Sequence, residues 1–158
     1  MKKILFVCLG NICRSPTAEA VLRGKLKNLQ MENRYQVDSC GTAAYHAGEA
    51  PDKRSQQAAV KRGYNMSDLR ARQLSDADYM EFDYLLAMDN ANANEMRKRA
   101  PKKYRDKIQL LLEFGDSDYL EVPDPYYGGA SGFDLVLDLV ENACDGLIER
   151  LRSNENGA

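Results

Sequence analysis

The sequence predicts an α/β fold, a central four-stranded parallel sheet flanked by helices on both faces. Apolar, strand-forming runs alternate with stretches of helical periodicity along the chain. The first run is continuously apolar, as a strand buried on both faces requires. Helix start and stop signals fall between the runs. The 158 residues give length for one domain, 1–158, with enough interior to fold without disulfide or metal staples.

The elements follow in order. Lys3 to Cys8 reads as the first buried strand. Ser15-Pro16 then reads as a helix start, with Ser15 at the cap and Pro16 at the first helical position. Ala18, Val21, Leu22, Leu26 and Leu29 form its apolar stripe, broken by Lys25. Tyr35 to Cys40, closed by Gly41, is the second strand, and residues 42–52 a loop. Asp52 caps a helix that Gly63 ends. Asp83 to Met88 is the third strand, 90–100 a polar helix, and Ile108 to Leu112 the fourth strand. Ser131, with Asp134 three residues on, caps the last helix, whose buried stripe runs from Phe133 to Leu151.

Composition narrows the function. Hydrophobic residues make up 44% and charged residues 29%, values typical of a globular chain. With 22 basic against 24 acidic residues, the basic excess of a nucleic-acid binder is missing. No apolar run reaches the roughly 20 residues of a membrane helix. The apolar stretch Ile4 to Leu9 is too short for a signal peptide. A cytoplasmic protein is expected, and in a reducing compartment the four cysteines are expected as free thiols. Cys40 and Cys144 sit in apolar surroundings and read as core. A zinc site at Cys8 and Cys13 would need two further ligands, and His46 is the sole histidine, so no metal is expected. His46 itself reads as a rim or surface residue. The basic run from Arg97 to Lys107 reads as a solvated face, paired locally with Glu113, Asp116, Asp118 and Glu121.

The chemistry is concentrated between the first strand and the first helix, in Cys8-Leu9-Gly10-Asn11-Ile12-Cys13-Arg14-Ser15. In a chain of this composition, Cys-x5-Arg followed by Ser or Thr arises by chance about 0.02 times. A short loop closing on a helix N-terminus aims backbone N–H groups at one point, where the helix dipole also favours negative charge. Such a cradle binds an oxyanion and stabilises a thiolate, which makes Cys8 a nucleophile. Arg14 offers a planar fork to two phosphoryl oxygens. Gly10 permits close approach or a positive φ, and Asn11 tolerates left-handed backbone while bonding the loop to its surroundings. A nucleophile needs an acid for its leaving group. Asp124, held between Pro123 and Pro125 and followed by Tyr126-Tyr127-Gly128-Gly129, is the best candidate.

At these residues the chain resembles the low-molecular-weight protein tyrosine phosphatases. The likeness rests on Val7 to Pro16 and on Asp124-Pro125-Tyr126-Tyr127-Gly128, with Ala71-Arg72-Gln73 and Phe82 through Asp89 as mid-chain landmarks. The resemblance implies a Rossmann-like domain and cofactor-free hydrolysis of aryl phosphates through a cysteinyl phosphate. Cys8 would be the nucleophile, Asp124 the general acid and then base, and Arg14 with the loop amides the oxyanion clamp. Ser15 would assist Cys8 as a leaving group. Asn11 would hold the loop shape, with Ser39 as partner. Tyr45, Tyr126 and Tyr127 would wall the cleft, and Cys13 would form a reversible disulfide with Cys8 under oxidation. Implied partners are phosphotyrosine proteins, with inorganic phosphate as product and inhibitor, and neither nucleic acid nor membrane.

Some members of the family carry a loop-supporting histidine after the position of Gly63 and a tryptophan in the cleft; this chain has no histidine in residues 64–71 and no tryptophan at all. Two other activities occur on resembling proteins. Arsenate reduction needs two more cysteines after the third strand, and residues 89–106 hold none. Arginine phosphatases carry Thr where this chain has Ile12; an apolar Ile there suits an aryl ester. A binding module that only recognises phosphate would not need nucleophile, arginine and acid together.

Overall fold

A computed structural model describes residues 1–126 and 129–156. Tyr127, assigned above to the cleft, lies outside the described residues. Four parallel strands form one sheet in the order β2-β1-β3-β4. They are β1 (Lys2–Cys8), β2 (Tyr35–Gly41), β3 (Tyr84–Ala87) and β4 (Ile108–Leu110). The helices are α1 (Arg14–Asn28), α2 (Lys53–Val60), α3 (Asp76–Glu81), α4 (Asn90–Arg99) and α5 (Ala130–Asn156), with 3-10 turns at Lys102–Lys107 and Leu111–Phe114.

The alternation of side chains along β1 explains the two layers. Ile4, Phe6 and Cys8 point to one face and pack with Val21 and Leu22 of α1 and Val140 and Leu147 of α5. Leu5 and Val7 point to the other face, where Tyr79 of α3 and Ala93 and Met96 of α4 cover them. Every residue from Ile4 to Cys8 is therefore buried, which is what a continuously apolar strand encodes. Cys40 and Cys144 are wholly buried core residues.

β1 lies between β2, which follows it in the chain, and β3, which joins on its opposite side. The chain thus changes direction across the sheet at the carboxyl end of β1. Open α/β sheets place their ligands at such a point.

Several boundaries differ from the sequence reading. α1 begins at Arg14, and Cys13 rather than Ser15 occupies the cap position, without a side-chain cap. The Ser15 hydroxyl is committed instead to the loop beside Cys8. Ser131 lies inside α5, which starts at Ala130, and Asp134 sits 3.9 Å from Arg62 Nη2. β4 ends at Leu110, and Leu111 and Leu112 continue as a 3-10 turn. Leu29, assigned to the α1 stripe, is exposed, whereas Lys25 bonds Asp145 of α5 at 2.8 Å. α3 was not anticipated, although Asp78 accepts the Ser75 N–H at 2.8 Å in a capping box that Ser75-x-x-Asp78 spells out. The basic run does not pair with the acids that follow it. Arg99 bonds Glu95, Asp116 bonds Asn142, and Glu121 accepts the Asn90 N–H.

Candidate active site

Cys8 ends β1 and is almost wholly buried. Its Sγ lies 2.9 Å from Ser15 Oγ and receives the Asn11 N–H at 3.3 Å. Asn11 takes the left-handed conformation, φ +59°, which Asn tolerates better than most side chains. Gly10 has another purpose: a Cβ there would stand 3.0 Å from His46 Cδ2. Gly41, which pairs with Cys8 across the sheet, admits no side chain either, since a Cβ would fall 2.7 Å from the Leu9 carbonyl oxygen.

The Asn11 side chain orders the loop. Its Oδ1 accepts the Arg72 N–H at 3.0 Å, which fixes which end of the carboxamide is which. Its Nδ2 then donates to Ser15 Oγ at 2.8 Å and Ser39 Oγ at 3.0 Å. Ser39 in turn donates to Glu19 Oε1 at 2.7 Å. Each serine accepts one hydrogen bond from Asn11, so each has its own hydrogen left to give. Ser39 gives it to Glu19. Ser15 Oγ lies 2.9 Å from Cys8 Sγ, where either atom can donate, and its hydroxyl also reaches the Cys40 carbonyl at 3.3 Å. Glu19 anchors the far end and is 2% exposed. Burial pushes its carboxyl above the usual range, against the opposing Ser39 hydrogen bond and the charge of Arg23.

Arg14 is buried and held from the opposite side. Its Nη1 donates to Asp89 Oδ2 at 2.6 Å and to the Val122 carbonyl at 3.0 Å. Burial alone would lower the Arg14 guanidinium; the charge of Cys8 and the bond to Asp89 outweigh it and raise it. Asp89 has a second duty, since its Oδ1 caps α4 by accepting the Asn92 N–H at 2.8 Å. One carboxylate therefore registers Arg14 against the start of α4.

Asp124 faces the loop from an exposed segment. Its Oδ2 stands 3.8 Å from Arg14 Nη2, and its Oδ1 accepts the Tyr126 N–H at 3.0 Å. The segment is tethered at both ends. Val122 N–H donates to the Met88 carbonyl at 2.8 Å. Arg54 donates to the Tyr126 carbonyl at 2.9 Å and bonds Asp52 at 3.0 Å. Its guanidinium carbon also lies 5.6 Å from the Tyr126 ring centroid and 4.8 Å from that of Phe133.

These groups surround a cleft of about 260 Å³ with Cys8, Arg14 and Cys13 at its base and Asp124, Tyr45 and Tyr126 on its walls. The structure thus gathers Cys8 to Ser15, Ser39, Tyr45, Asp124 and Tyr126 in one place, from four separate stretches of chain. His46 joins the rim, its ring 6.3 Å from that of Tyr126 and its Nδ1 2.9 Å from Glu49 Oε2. Cys13 is buried, and that burial pushes its thiol up to about 12 even though Ser55 hydrogen-bonds to it. Among the described residues no group of three or more His, Cys, Asp or Glu side chains gathers as metal ligands do.

Sequence reasoning missed Glu19, the bracing roles of Asp89 and Arg72, and Arg54. Glu19 is an acid in the first half of α1, where every residue from Arg14 to Leu22 is buried, and its partner Ser39 lies on a different element. The other three act from distant stretches, and no local spacing links them to Cys8. No histidine is needed to brace the loop: the backbone of Arg72 and the Glu19–Ser39 pair do so. Met66, in the segment where the histidine was missed, accepts a weak hydrogen bond from Thr17.

A thiol at the foot of an anion cradle, closed by a buried arginine and faced by a carboxylate, defines a cysteine-dependent phosphatase site. The comparisons with known proteins agree. The model of the low molecular weight phosphotyrosine protein phosphatases matches residues 3–156, and the chain belongs to that family. A low molecular weight phosphotyrosine protein phosphatase of Schizosaccharomyces pombe is 44% identical, over 88% of this chain and 90% of its own length. A solved protein tyrosine phosphatase of Entamoeba histolytica superposes with a TM-score of 0.95 at 44% identity, covering 98% of this chain and 99% of its own. A Drosophila structure described as an arginine phosphatase superposes with a TM-score of 0.87 at 33% identity, covering 97% of this chain and 99% of its own.

Proposed function

We propose that this phosphatase removes phosphate from tyrosine residues of proteins in two steps, through a phosphate ester on Cys8. In the first step Cys8 Sγ attacks phosphorus and the bond to the aryl oxygen breaks. Asp124 gives its proton to the departing phenolate. In the second step water attacks phosphorus and loses a proton to Asp124. The sulfur–phosphorus bond breaks, phosphate leaves, and the thiolate returns. The loop amides and Arg14 hold the equatorial oxygens throughout. The Ser15 hydroxyl lowers the cost of expelling the thiolate by donating to it.

The observation that carries this reading is the meeting of Cys8, the buried Arg14 and Asp124 in one cleft, with Ser15 Oγ 2.9 Å from Cys8 Sγ. The chain of bonds from Glu19 through Ser39 and Asn11 to Ser15 holds the loop in place around Cys8. Tyr45 and Tyr126 flank the cleft and suit an aryl ring. Tyr127 is proposed as a third wall residue by the family motif alone. Inorganic phosphate, the product, is expected to compete for the same cradle. Action in the cytoplasm is in keeping with a site that needs Cys8 reduced, and among the described residues no helix is long and apolar enough to cross a membrane.

Cys13 is proposed to protect the nucleophile. Should a peroxide convert Cys8 to a sulfenic acid, the Cys13 thiol would displace water and form a disulfide that a dithiol can reduce.

The test is phosphate release from p-nitrophenyl phosphate in the presence of EDTA, in wild type, Cys8→Ser and Asp124→Ala. Turnover abolished by the first change and strongly reduced by the second supports the reading. A freshly reduced wild-type protein without turnover would overturn it. Phosphoarginine serves as the competing substrate, and Ile12 at the base of the cleft favours the aryl ester.

A further inference from the structure

Beside the catalytic cleft lies a second cavity of about 440 Å³. Leu9, Arg14, Tyr45 and Asp124 line both. The ridge between them carries two side chains that the fold leaves largely uncovered, Leu9 at 44% and Tyr45 at 74% exposure. The far wall of the second cavity is α4, with Asn92 near its start, Glu95 in its middle and Arg99 at its end.

Asn92 is anomalous there. It is 4% exposed, yet its buried side-chain Oδ1 has no hydrogen-bond partner among the described residues. Buried carboxamides are nearly always bonded, and leaving one unpaired costs stability. The cations of the same cavity are already engaged, and Asp124 stands at the border with the catalytic cleft. Arg14 is paired with Asp89 at 2.6 Å, and Arg99 bonds Glu95 at 2.9 Å and the Thr42 carbonyl at 2.7 Å. The buried group without a partner is the oxygen of a neutral amide, a side chain with one acceptor and two donors. Its complement is another amide.

Resting on the phosphotyrosine phosphatase reading above, we propose that this cavity is a substrate subsite. It takes the polypeptide main chain next to the phosphotyrosine, and Asn92 hydrogen-bonds a peptide group there. With the phosphotyrosyl ring in the catalytic cleft, the flanking chain crosses the Leu9–Tyr45 ridge and descends onto α4. Rotation of the carboxamide about its broad terminal torsion turns it toward the incoming peptide. The subsite distinguishes a phosphotyrosyl protein from a small aryl phosphate, which fills the catalytic cleft alone.

The test compares kcat/KM for a phosphotyrosyl peptide with residues on both sides of the phosphotyrosine and for p-nitrophenyl phosphate, in wild type and Asn92→Ala. Among the described residues Asn92 Oδ1 has no partner to lose, and the backbone N–H of the variant still reaches Asp89. The peptide-to-nitrophenyl ratio is expected to fall about tenfold. Ala91→Trp, which fills the cavity from the exposed side of α4, is expected to lower the same ratio. A peptide N-methylated at the flanking amides is expected to lose against wild type and to lose no more against Asn92→Ala. A ratio unchanged in both variants would overturn the subsite, as would rates that fall in equal proportion on both substrates. Absent wild-type turnover of p-nitrophenyl phosphate would instead sink the underlying phosphatase reading, and the subsite with it.

Discussion

The two halves of the site are built on opposite principles. The segment from Cys8 to Ser15 is mostly buried and over-determined: the Asn11 side chain alone is bonded to three partners, and Gly41 closes behind it with no space for a methyl group. The segment carrying Asp124 is exposed, and its carboxylate stands 3.8 Å from Arg14 with no shorter ionic contact. The nucleophile must meet phosphorus in one geometry, so its loop is fixed before substrate arrives. In the proposed mechanism Asp124 must reach a leaving oxygen and later a water, and its segment is tethered from outside, by Arg54 and by Val122. Rigidity is placed where charge develops, and adjustability where a proton is handed over.

The largest effect is expected from removing the nucleophile. Cys8→Ser should lower kcat by about 10⁴-fold or more, with the same KM for p-nitrophenyl phosphate if the cradle survives. Phosphate binding by calorimetry checks that survival.

Asn11→Ala attacks the fixed half. It strands Ser39 and the Arg72 N–H and places alanine at φ +59°. The expected loss is about 2–4 kcal/mol of stability, read from urea denaturation, together with most of the activity.

Arg54→Ala attacks the tethered half. It should leave stability nearly intact and lower kcat about tenfold on phenyl phosphate. The effect on p-nitrophenyl phosphate should be smaller, because that leaving group needs less protonation. A steeper dependence of rate on leaving-group basicity marks a misplaced acid; equal losses on both esters would mean that Arg54 acts through the fold.

The smallest effect concerns the buried thiols. Burial raises Cys13 to about 12 and raises Cys40 and Cys144 as well. Unfolded thiols lose their protons near pH 8.5. Between that pH and about 12 the folded state therefore holds more protons than the unfolded state, and stability falls as pH rises through this window. Urea midpoints in reductant at pH 7.5 and 9.5 should show the decline, and Cys13→Ser should flatten it.

Much of this was legible in the sequence because the signals are local. The apolar run of β1, the Asp52 cap of α2 and the Cys-x5-Arg-Ser spacing each lie within a few residues, and the structure keeps them. Asn11 was legible too, since its side chain suits both the turn and the bonding. What sequence reasoning missed is non-local or double-purposed. Ser15 has the chemistry of a helix cap, and only the three-dimensional neighbourhood of Cys8 shows that its hydroxyl is needed elsewhere. Glu19 lies at the edge of the α1 stripe, but an acid there does not read as buried, and the Ser39 hydroxyl that it accepts from is on β2. Asp89 and Arg54 reach the site across large stretches of chain that periodicity does not connect.

The account's central claim is that Cys8 itself carries the phosphoryl group. Asp124→Ala lacks the base for the second step, while p-nitrophenolate can leave without an acid. Mixing this variant with p-nitrophenyl phosphate, quenching in acid and locating phosphate by peptide mass spectrometry tests the claim directly. The prediction is a phosphorylated peptide bearing the group on Cys8, absent from the Asp124→Ala protein that also carries Cys8→Ser. Phosphate released with no label on Cys8 at any time, or label on another residue, would contradict it.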